Sequence, residues 1–444
     1  MAEISIDNVI NKYNVPGYAH FDRRLPLLTA YEYVSKPENV SSHAFFPFIH
    51  YEKYQVKFNG KEKVKKVREI CYPAHIDSVI YQHYSYMLNS FYNYYAFMND
   101  IDKCVLAYRT SKSGCCNIHF AKEVIDFIKL QNNAYVIIGD FKDFFPSINH
   151  KHLKLNLCRL LNCTALPSDV YAVFKNVTKF SYVELEQLLS LHGLSAADED
   201  IRLFNCKKSV LDDYSLSDLK KKFSGIIKQN TSGRSIPQGS PISGVLANIY
   251  MLDFDTSLYN LVSRYKGLYR RYSDDFIVII PQAEWKAFLT VFKSVVELVE
   301  KTPGLILESK KTNVYYCHDK TVDFFDWTGG WQTDKRLSYL GFSFDGKNVY
   351  IRDKTITKYY YRMIRKIKGI KNLRAVYGGT ISGRVLYERY SKRRSLERDN
   401  SSIKQQKLNF IDYVSKAVKV FGKDEKVNLV LKRHMAHIRK HLKR

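Results

Sequence analysis

The 444-residue chain has no long apolar segment, no C-x-x-C motif and no low-complexity linker. Without a run of about 20 apolar residues it has no candidate membrane-spanning helix, and its first residues lack the apolar stretch of a signal peptide. Its eight cysteines include no C-x-x-C pair, which argues against a zinc knuckle and against a disulfide framework. These absences predict a cytoplasmic protein with reduced thiols and no membrane partner.

Acidic residues are also scarce, above all near the C terminus. The chain has 70 Lys and Arg against 44 Asp and Glu, a net charge of +26. From residue 351 onward there are 27 basic and 7 acidic residues, a net of +20. A solvated helix face usually interleaves both signs, and this segment hardly does. The excess therefore favours a polyanionic partner, with nucleic acid ahead of an anionic membrane surface.

The apolar residues that are present follow short, regular patterns. The run AYVIIG at 134–139 predicts a buried strand, and residues 268–280 predict a hairpin around a Ser-Asp-Asp turn. Residues 195–232 are polar and predict a loop-rich excursion, and a Ser/Arg/Asp-rich break is expected at 391–402. Helices are predicted at about 77–98, 151–161, 185–191, 243–261 and 284–301, and as basic helices from 356 onward. In the first of these, one face is predicted to hold Ile80, Tyr84, Met87, Leu88 and Phe91.

Acidic residues stand at the ends of two of these apolar strands. Asp140 follows VIIG, and the pair Asp274–Asp275 lies in the hairpin turn. Strand ends and tight turns hold carboxylates rigidly at a sheet edge, which suits two Mg²⁺ ions about 3.5–4 Å apart. Asp-Asp is also an ordinary turn sequence. The apolar run directly after the pair favours the metal interpretation, because a plain solvent turn would not need buried flanks.

The segment SIPQGSPISGVLAN at 235–248 lies between these strands in the sequence. Its Pro-Gln-Gly turn opens a predicted helix. Gly239 would allow the backbone to approach a nucleotide closely, and Gln238 can donate to and accept from a base or sugar edge. An ordinary strand-to-helix turn is an equally good interpretation of these residues alone.

Taken in order, five segments resemble motifs of the reverse transcriptases. They are DFKDFFPSI at 140–148, PQGSPISGVLANIYMLDFD at 237–255, YSDD at 272–275 preceded by Arg271, LESKKT at 307–312 and YLGF at 339–342. The resemblance covers about residues 65–345. Within that superfamily the chain looks most like the bacterial abortive-infection and defence-associated branch, which is related to retron and group II intron enzymes. Two departures from the usual pattern are Ser273 in place of Ala and Gly244 in place of Pro.

The resemblance implies a role for individual residues. Phe145 would be the steric gate that excludes a ribose 2′-hydroxyl, so dNTPs are the implied substrates. Lys311, with Lys310 as the rival, would lie near the triphosphate and protonate the leaving pyrophosphate. Gln238 and Gly239 would contact nucleotide, and Arg68 and Arg109 lie where finger residues contact triphosphate or template, although both could equally be surface cations. The implied metal-binding positions are Asp140, Phe141, Asp274 and Asp275, and the implied primer grip is Leu340, Gly341 and Phe342.

The fold implied by the resemblance is an α+β right hand. Residues 1–133 would form the N-terminal region and largely helical fingers. Residues 134–345 would form a palm with a small antiparallel sheet, interrupted by a fingers segment at about 150–235. Residues 346–444 would form a helical thumb and a basic helical C-terminal extension.

The predicted function is RNA-directed DNA synthesis with Mg²⁺, or Mn²⁺ in its place, in antiviral defence. The expected partners are an RNA template or a structured non-coding RNA, dNTPs and the DNA product, and a homo-oligomer is left open. Untemplated or protein-primed DNA synthesis at the same site is one alternative, since any exposed one of 34 tyrosines could prime. A maturase-like RNA-binding protein is an alternative of another class, which the retention of all three carboxylates disfavours.

Overall fold

A computed structural model of the chain describes residues 12–58, 63–191, 193–195, 225–377 and 409–443, together with residues 10, 386, 389 and 390. The helices are α1 Leu27–Val34, α2 Pro37–Ser41, α3 His75–Met98, α4 Asn117–Lys129, α5 Phe144–Ser147, α6 His150–Leu160, α7 Ser168–Thr178, α8 Leu185–Leu191, α9 Ser243–Tyr250, α10 Leu252–Ser263, α11 Trp285–Lys301, α12 Asp353–Tyr377, α13 Phe410–Phe421 and α14 Leu429–Lys443. The strands are β1 Phe48–Phe58, β2 Lys63–Tyr72, β3 Asn133–Asp140, β4 Ser181–Glu184, β5 Lys228–Gln229, β6 Leu268–Tyr272, β7 Asp275–Pro281, β8 Asn313–His318, β9 Thr321–Asp326, β10 Gly330–Gln332, β11 Leu337–Tyr339, β12 Phe342–Phe344 and β13 Val349–Ile351.

The central sheet has six antiparallel strands in the order β10-β9-β8-β3-β7-β6. Along β3, Tyr135 and Ile137 pack into one hydrophobic core, and Val136 and Ile138 pack into a second core on the opposite face. Both faces of the strand are therefore covered, which explains why its sequence is a continuous apolar run without alternation. The predicted buried strand and the predicted antiparallel sheet are both confirmed.

A second sheet has the order β2-β1-β4-β5, in which β1 and β2 form a long hairpin. β4 joins β1 in parallel, so residues 181–184 return to the N-terminal part of the chain. In the predicted fingers, residues 1–133, this strand pair lies beside the helices α1 to α4. Most of the basic run at 61–68 lies on β2, and its two valines, Val64 and Val67, favour a strand. Most of the predicted excursion at 195–232 lies outside the described residues.

The helix predicted at 77–98 is confirmed as α3, with one correction. Ile80, Tyr84 and Leu88 are buried, but Phe91 is 43% exposed and Met87 is only partly buried. Burial along α3 follows four-residue steps, continuing through Tyr92 and Ala96. Each step turns the buried stripe by about 40° around the axis. On a helical wheel Phe91 lies near Ile80. By that point along the helix, however, the buried stripe has turned away from this position, so Phe91 is exposed.

A three-stranded antiparallel sheet, β11-β12-β13, connects the central sheet to the C-terminal helices α12, α13 and α14. The prediction of basic helices after residue 356 is confirmed for these three, and the predicted break at 391–402 lies outside the described residues. Within the described part of the chain, no helix combines the length and apolar character that crossing a bilayer requires. The cysteines in that part are free thiols.

Candidate active site

The pairing of two neighbouring strands brings the predicted acidic residues together. Asp140, the last residue of β3, lies opposite Asp275, the first residue of β7. Strands β6 and β7 form a hairpin whose two-residue turn is Ser273–Asp274. The backbone N–H of Phe141 donates to the carbonyl oxygen of Asp274 at 3.1 Å. One sheet edge therefore carries all three aspartates. We call residues 272–275 the acidic turn.

A buried ion pair lies directly beneath the acidic turn. The Arg271 guanidinium is fully buried and donates to both carboxylate oxygens of Asp255, at 2.8 and 2.6 Å. It also donates to the Ser273 carbonyl at 3.0 Å and to Asn248 at 3.3 Å, while the Tyr269 hydroxyl donates to Asp255 at 2.6 Å. The sequence interpretation assigned this pair no role. The only feature of the local sequence that indicated the pair was an arginine within an otherwise buried strand, because Asp255 lies 16 residues earlier than Arg271.

The carboxylates of the site act on one another electrostatically. Burial, followed by the charges of Asp274 and Asp140, raises the pKa of Asp275 to about 7. The Lys311 ammonium forms an ion pair with Asp140 and partly offsets this effect. Lys310 and Lys311 lie on the same short 3₁₀ turn, Ser309–Lys311, and both are exposed. Of the two predicted lysines, Lys311 is therefore the one that the structure brings to an aspartate.

The donor set of the site suits a divalent cation. Carboxylate oxygens are the ligands that Mg²⁺ and Mn²⁺ prefer, and a bound cation would relieve the repulsion that raises the pKa of Asp275. In the described ranges no three His, Cys, Asp or Glu side chains converge closely enough to hold one ion. At Asp140 the Lys311 ammonium supplies a positive charge. The ring of Phe141 is buried, so only its carbonyl oxygen could reach a cation.

The predicted steric gate lies on the short helix α5, five residues after Asp140. Phe145 is half-buried and contacts the ring of Phe144 with centroids 5.7 Å apart. Its ring also stands nearly perpendicular to that of Tyr108, at 80° and 6.5 Å. The Phe145 carbonyl accepts a hydrogen bond from the N–H of Ile236 at 3.3 Å. The gate candidate is thereby joined to the segment that contains Gln238.

The Gln238–Gly239 turn contacts the end of strand β2. The Gln238 carbonyl accepts from the N–H of Cys71 at 2.7 Å, and the Gln238 side chain is partly exposed. Gly239 has φ +115°, and a Cβ added there would lie 2.7 Å from the Cys71 carbonyl oxygen. The sequence interpretation assigned this glycine to close approach of a nucleotide. In the structure the close approach is made by the chain's own strand.

The two predicted basic contacts of the fingers lie in different environments. Arg109 is buried: it donates to Asp102 and Asn93, and its guanidinium lies 5.1 Å from the centre of the Tyr92 ring. Its donors are committed within the protein, so the prediction that it meets triphosphate or template is not supported. Arg68 is exposed on β2, opposite Lys53 in the hairpin.

The predicted primer grip is a tight turn between β11 and β12. Leu340 and Gly341 have φ of +45° and +91°, as a two-residue hairpin turn requires. The Asn117 side chain donates to the Leu340 carbonyl at 2.9 Å and to the Tyr413 hydroxyl, so α4 and α13 both hold this turn. Phe342 is fully buried and supports the turn from below. Of the three predicted primer-grip residues, Leu340 and Gly341 are partly accessible to solvent.

A cavity of about 350 Å³ opens beside the acidic turn. Its lining includes Tyr108, Lys112, Cys116, Phe120 and Tyr272. All but Tyr272 come from the segment between α3 and α4 or from α4 itself. Local sequence patterns gave no signal for it, because a loop and a turn more than 150 residues apart form it together.

Comparison with known proteins supports the class of this site. Residues 193–344, about a third of the chain, match the family model described as "Reverse transcriptase (RNA-dependent DNA polymerase)". The matched segment includes Asp274, Asp275 and Lys311, whereas Asp140 precedes it. This part of the chain is therefore similar to the reverse transcriptase domain. With the antiparallel sheet and flanking helices, the match confirms the predicted α+β right-hand fold class.

Among curated proteins none matches the chain. Similar solved structures include apo telomerase from Candida tropicalis truncated from its C-terminal domain, with 12% identity and a TM-score of 0.40, over 68% of this chain and 55% of that one. Telomerase from Candida albicans in complex with a TWJ fragment of telomeric RNA has 11% identity and a TM-score of 0.36, over 78% of this chain and 58% of that one. The chain thus spans little more than half the length of these structures.

Proposed function

We propose that the chain is an RNA-directed DNA polymerase whose active site is the sheet edge formed by Asp140, Asp274 and Asp275. The observation that carries the proposal is the strand register that places Asp140 opposite Asp275, with Asp274 in the adjoining turn. Two divalent ions, Mg²⁺ or Mn²⁺, would be held by these carboxylates. When bound they would activate a 3′-hydroxyl and stabilise the charge of the leaving pyrophosphate.

The remaining residues of the site serve substrate binding in this proposal. Phe145 excludes a 2′-hydroxyl, so that dNTPs are used. Lys311, which pairs with Asp140, would be the proton donor to the leaving pyrophosphate. Gln238 offers its partly exposed amide to the nucleotide. Leu340 and Gly341 present the accessible part of the primer-grip turn.

We also propose that the chain is divided into fingers at 1–133, a palm at 134–345 and a thumb with its extension at 346–444. The parallel pairing of β4 with β1 supports assigning the segment at about 150–235 to the fingers, because it joins that segment to the N-terminal sheet. The net charge of +20 from residue 351 onward supports contact with an RNA template or a template–product duplex. Service in antiviral defence with a non-coding RNA has only the motif resemblance as its support.

The test is primer extension with Mg²⁺ and labelled dNTPs, with co-purified RNA either retained or digested, followed by sequencing of the product. The variant D274N/D275N keeps side-chain shape and removes both charges. Asp319→Asn is a matched control, because that side chain is 93% exposed in a hairpin turn. We expect DNA that copies the RNA from the parent protein and from the control, and none from the double variant.

Other outcomes would revise the proposal in defined ways. DNA of simple composition made after RNA removal, or DNA bound covalently to protein, would indicate untemplated or protein-primed synthesis at the same carboxylates. Tight RNA binding without any synthesis that depends on Asp274 and Asp275 would overturn the polymerase proposal and leave a maturase-like RNA-binding protein.

A further inference from the structure

Tyr108 occupies an unusual position beside the acidic turn. It lies in the loop between α3 and α4 and has φ +59°, a left-handed conformation that a bulky residue rarely adopts. Such a conformation is strained and persists only where its surroundings enforce it. The next residue, Arg109, supplies that enforcement through its buried hydrogen bonds to Asp102 and Asn93. The ring of Tyr108 is still 47% exposed.

Three residues from separate parts of the site surround this ring. The Tyr108 hydroxyl lies 3.2 Å from Oγ of Ser273 in the acidic turn. A Cβ added to Gly244 would lie 2.6 Å from the ring, so the absence of a side chain there makes room for it. The ring of Phe145 meets that of Tyr108 edge to face, with centroids 6.5 Å apart. Ser273 and Gly244 are also the two departures from the motif pattern, and both contact the same tyrosine.

We propose that Tyr108 is a positioning residue for nucleotide selection, which rests on the proposed function. Its ring supports the Phe145 ring from the side, and its hydroxyl fixes that support to the acidic turn through Ser273. Phe145 can reject a ribose 2′-hydroxyl only if its ring cannot move away from the sugar. Tyr108 therefore determines how strongly the site prefers a deoxyribonucleotide to the corresponding ribonucleotide.

The experiment measures kcat/KM for dATP and for ATP and compares their ratio among variants. Edge-to-face aromatic support predicts that the preference for dATP falls about 3- to 10-fold in Tyr108→Ala. Gly244→Ala leaves Tyr108 itself intact but displaces its ring, and the same fall is expected. Tyr94→Ala is the matched control, because that ring is 68% exposed on α3. A general loss of structure would lower both kcat/KM values together and leave the ratio unchanged.

The hydroxyl contact is tested by a double-mutant cycle. Tyr108→Phe and Ser273→Ala each remove one partner of the same hydrogen bond, and each is expected to lower the preference about 3-fold. The double variant should lower it no further than either single one. Additive effects would refute the coupling, and an unchanged ratio in Tyr108→Ala with activity retained would overturn the whole inference.

The role of Tyr108 can also be tested if the polymerase proposal fails. If no synthesis depends on Asp274 and Asp275, binding of dATP and ATP is measured by calorimetry, with Ca²⁺ in place of Mg²⁺. A preference for dATP that falls in Tyr108→Ala would support the inference without polymerase activity. Equal affinity of the parent protein for the two nucleotides would overturn it.

Discussion

Replacing Arg271 with methionine would remove the cation beneath the acidic turn while keeping most of the side-chain volume. In the native chain Arg271 and Asp255 are both completely inaccessible to solvent. The variant would leave the Asp255 carboxylate buried, with the Tyr269 hydroxyl as its remaining hydrogen-bond donor. Breaking a buried pair in this way typically costs about 3–5 kcal/mol. We expect a loss of that size in the free energy of unfolding.

The neighbouring Arg270 provides a matched control. Its guanidinium is also buried, but it pairs with Glu123, whose side chain is 43% exposed. Removing Arg270 would therefore leave a carboxylate that solvent can reach, and not a buried unpaired charge. Arg270→Met should therefore destabilise the chain much less than Arg271→Met, although the two residues are adjacent on β6.

The double variant R271M/D255L separates stability from positioning. Replacing both partners of a buried ion pair with apolar side chains is often neutral, so most of the lost stability should return. Catalysis should not return, because the hydrogen bond from Arg271 to the Ser273 carbonyl is still missing. A displacement of about 1 Å in a reacting group can lower a rate about 100-fold. We expect a loss of this order in both the single and the double variant.

Chemical denaturation followed by tryptophan fluorescence suits the stability measurement. The chain has three tryptophans. The ring centres of Trp285, on α11, and Trp331, on β10 of the central sheet, lie 5.2 Å apart. Primer extension then gives the activity of each folded variant. If Arg271→Met unfolds no more easily than Arg270→Met, the buried pair does not stabilise the sheet as argued. Full activity in the double variant would show that Arg271 does not position the acidic turn.

Three further results are expected. Lys311→Ala should lower the rate of nucleotide addition about 100-fold, because its ammonium is the cation held at Asp140. Lys310→Ala should change that rate little. Equal losses of rate in rapid-quench assays of the two variants would contradict the assignment of Lys311. Gly239→Ala should destabilise the chain by about 1–3 kcal/mol, since its Cβ would meet the Cys71 oxygen at 2.7 Å, and an unchanged melting temperature would refute this. Duplex binding should weaken about a thousandfold between 50 and 200 mM salt, and a flat salt titration would exclude extensive phosphate contacts.

Local patterns in the sequence were sufficient for several elements of the fold. The apolar run at 134–139 predicted a buried strand, and the apolar residues around Asp274–Asp275 predicted a hairpin. The spacing of α3 and α11 predicted their bounds to within a few residues. These features depend on neighbours along the chain, because burial of a strand or helix leaves its periodicity in consecutive residues.

Only the tertiary structure decided which side chains meet. It placed Asp140 opposite Asp275, and it paired Asp140 with Lys311 and not with the neighbouring Lys310. It also turned Arg109 inward and set Tyr108 against the acidic turn. The physical reason is that strand register, ion pairing and close backbone approach join residues far apart in sequence, and their geometry is absent from any local pattern. The sequence by itself determined the types of residue available to the site, and the long-range packing determined their arrangement.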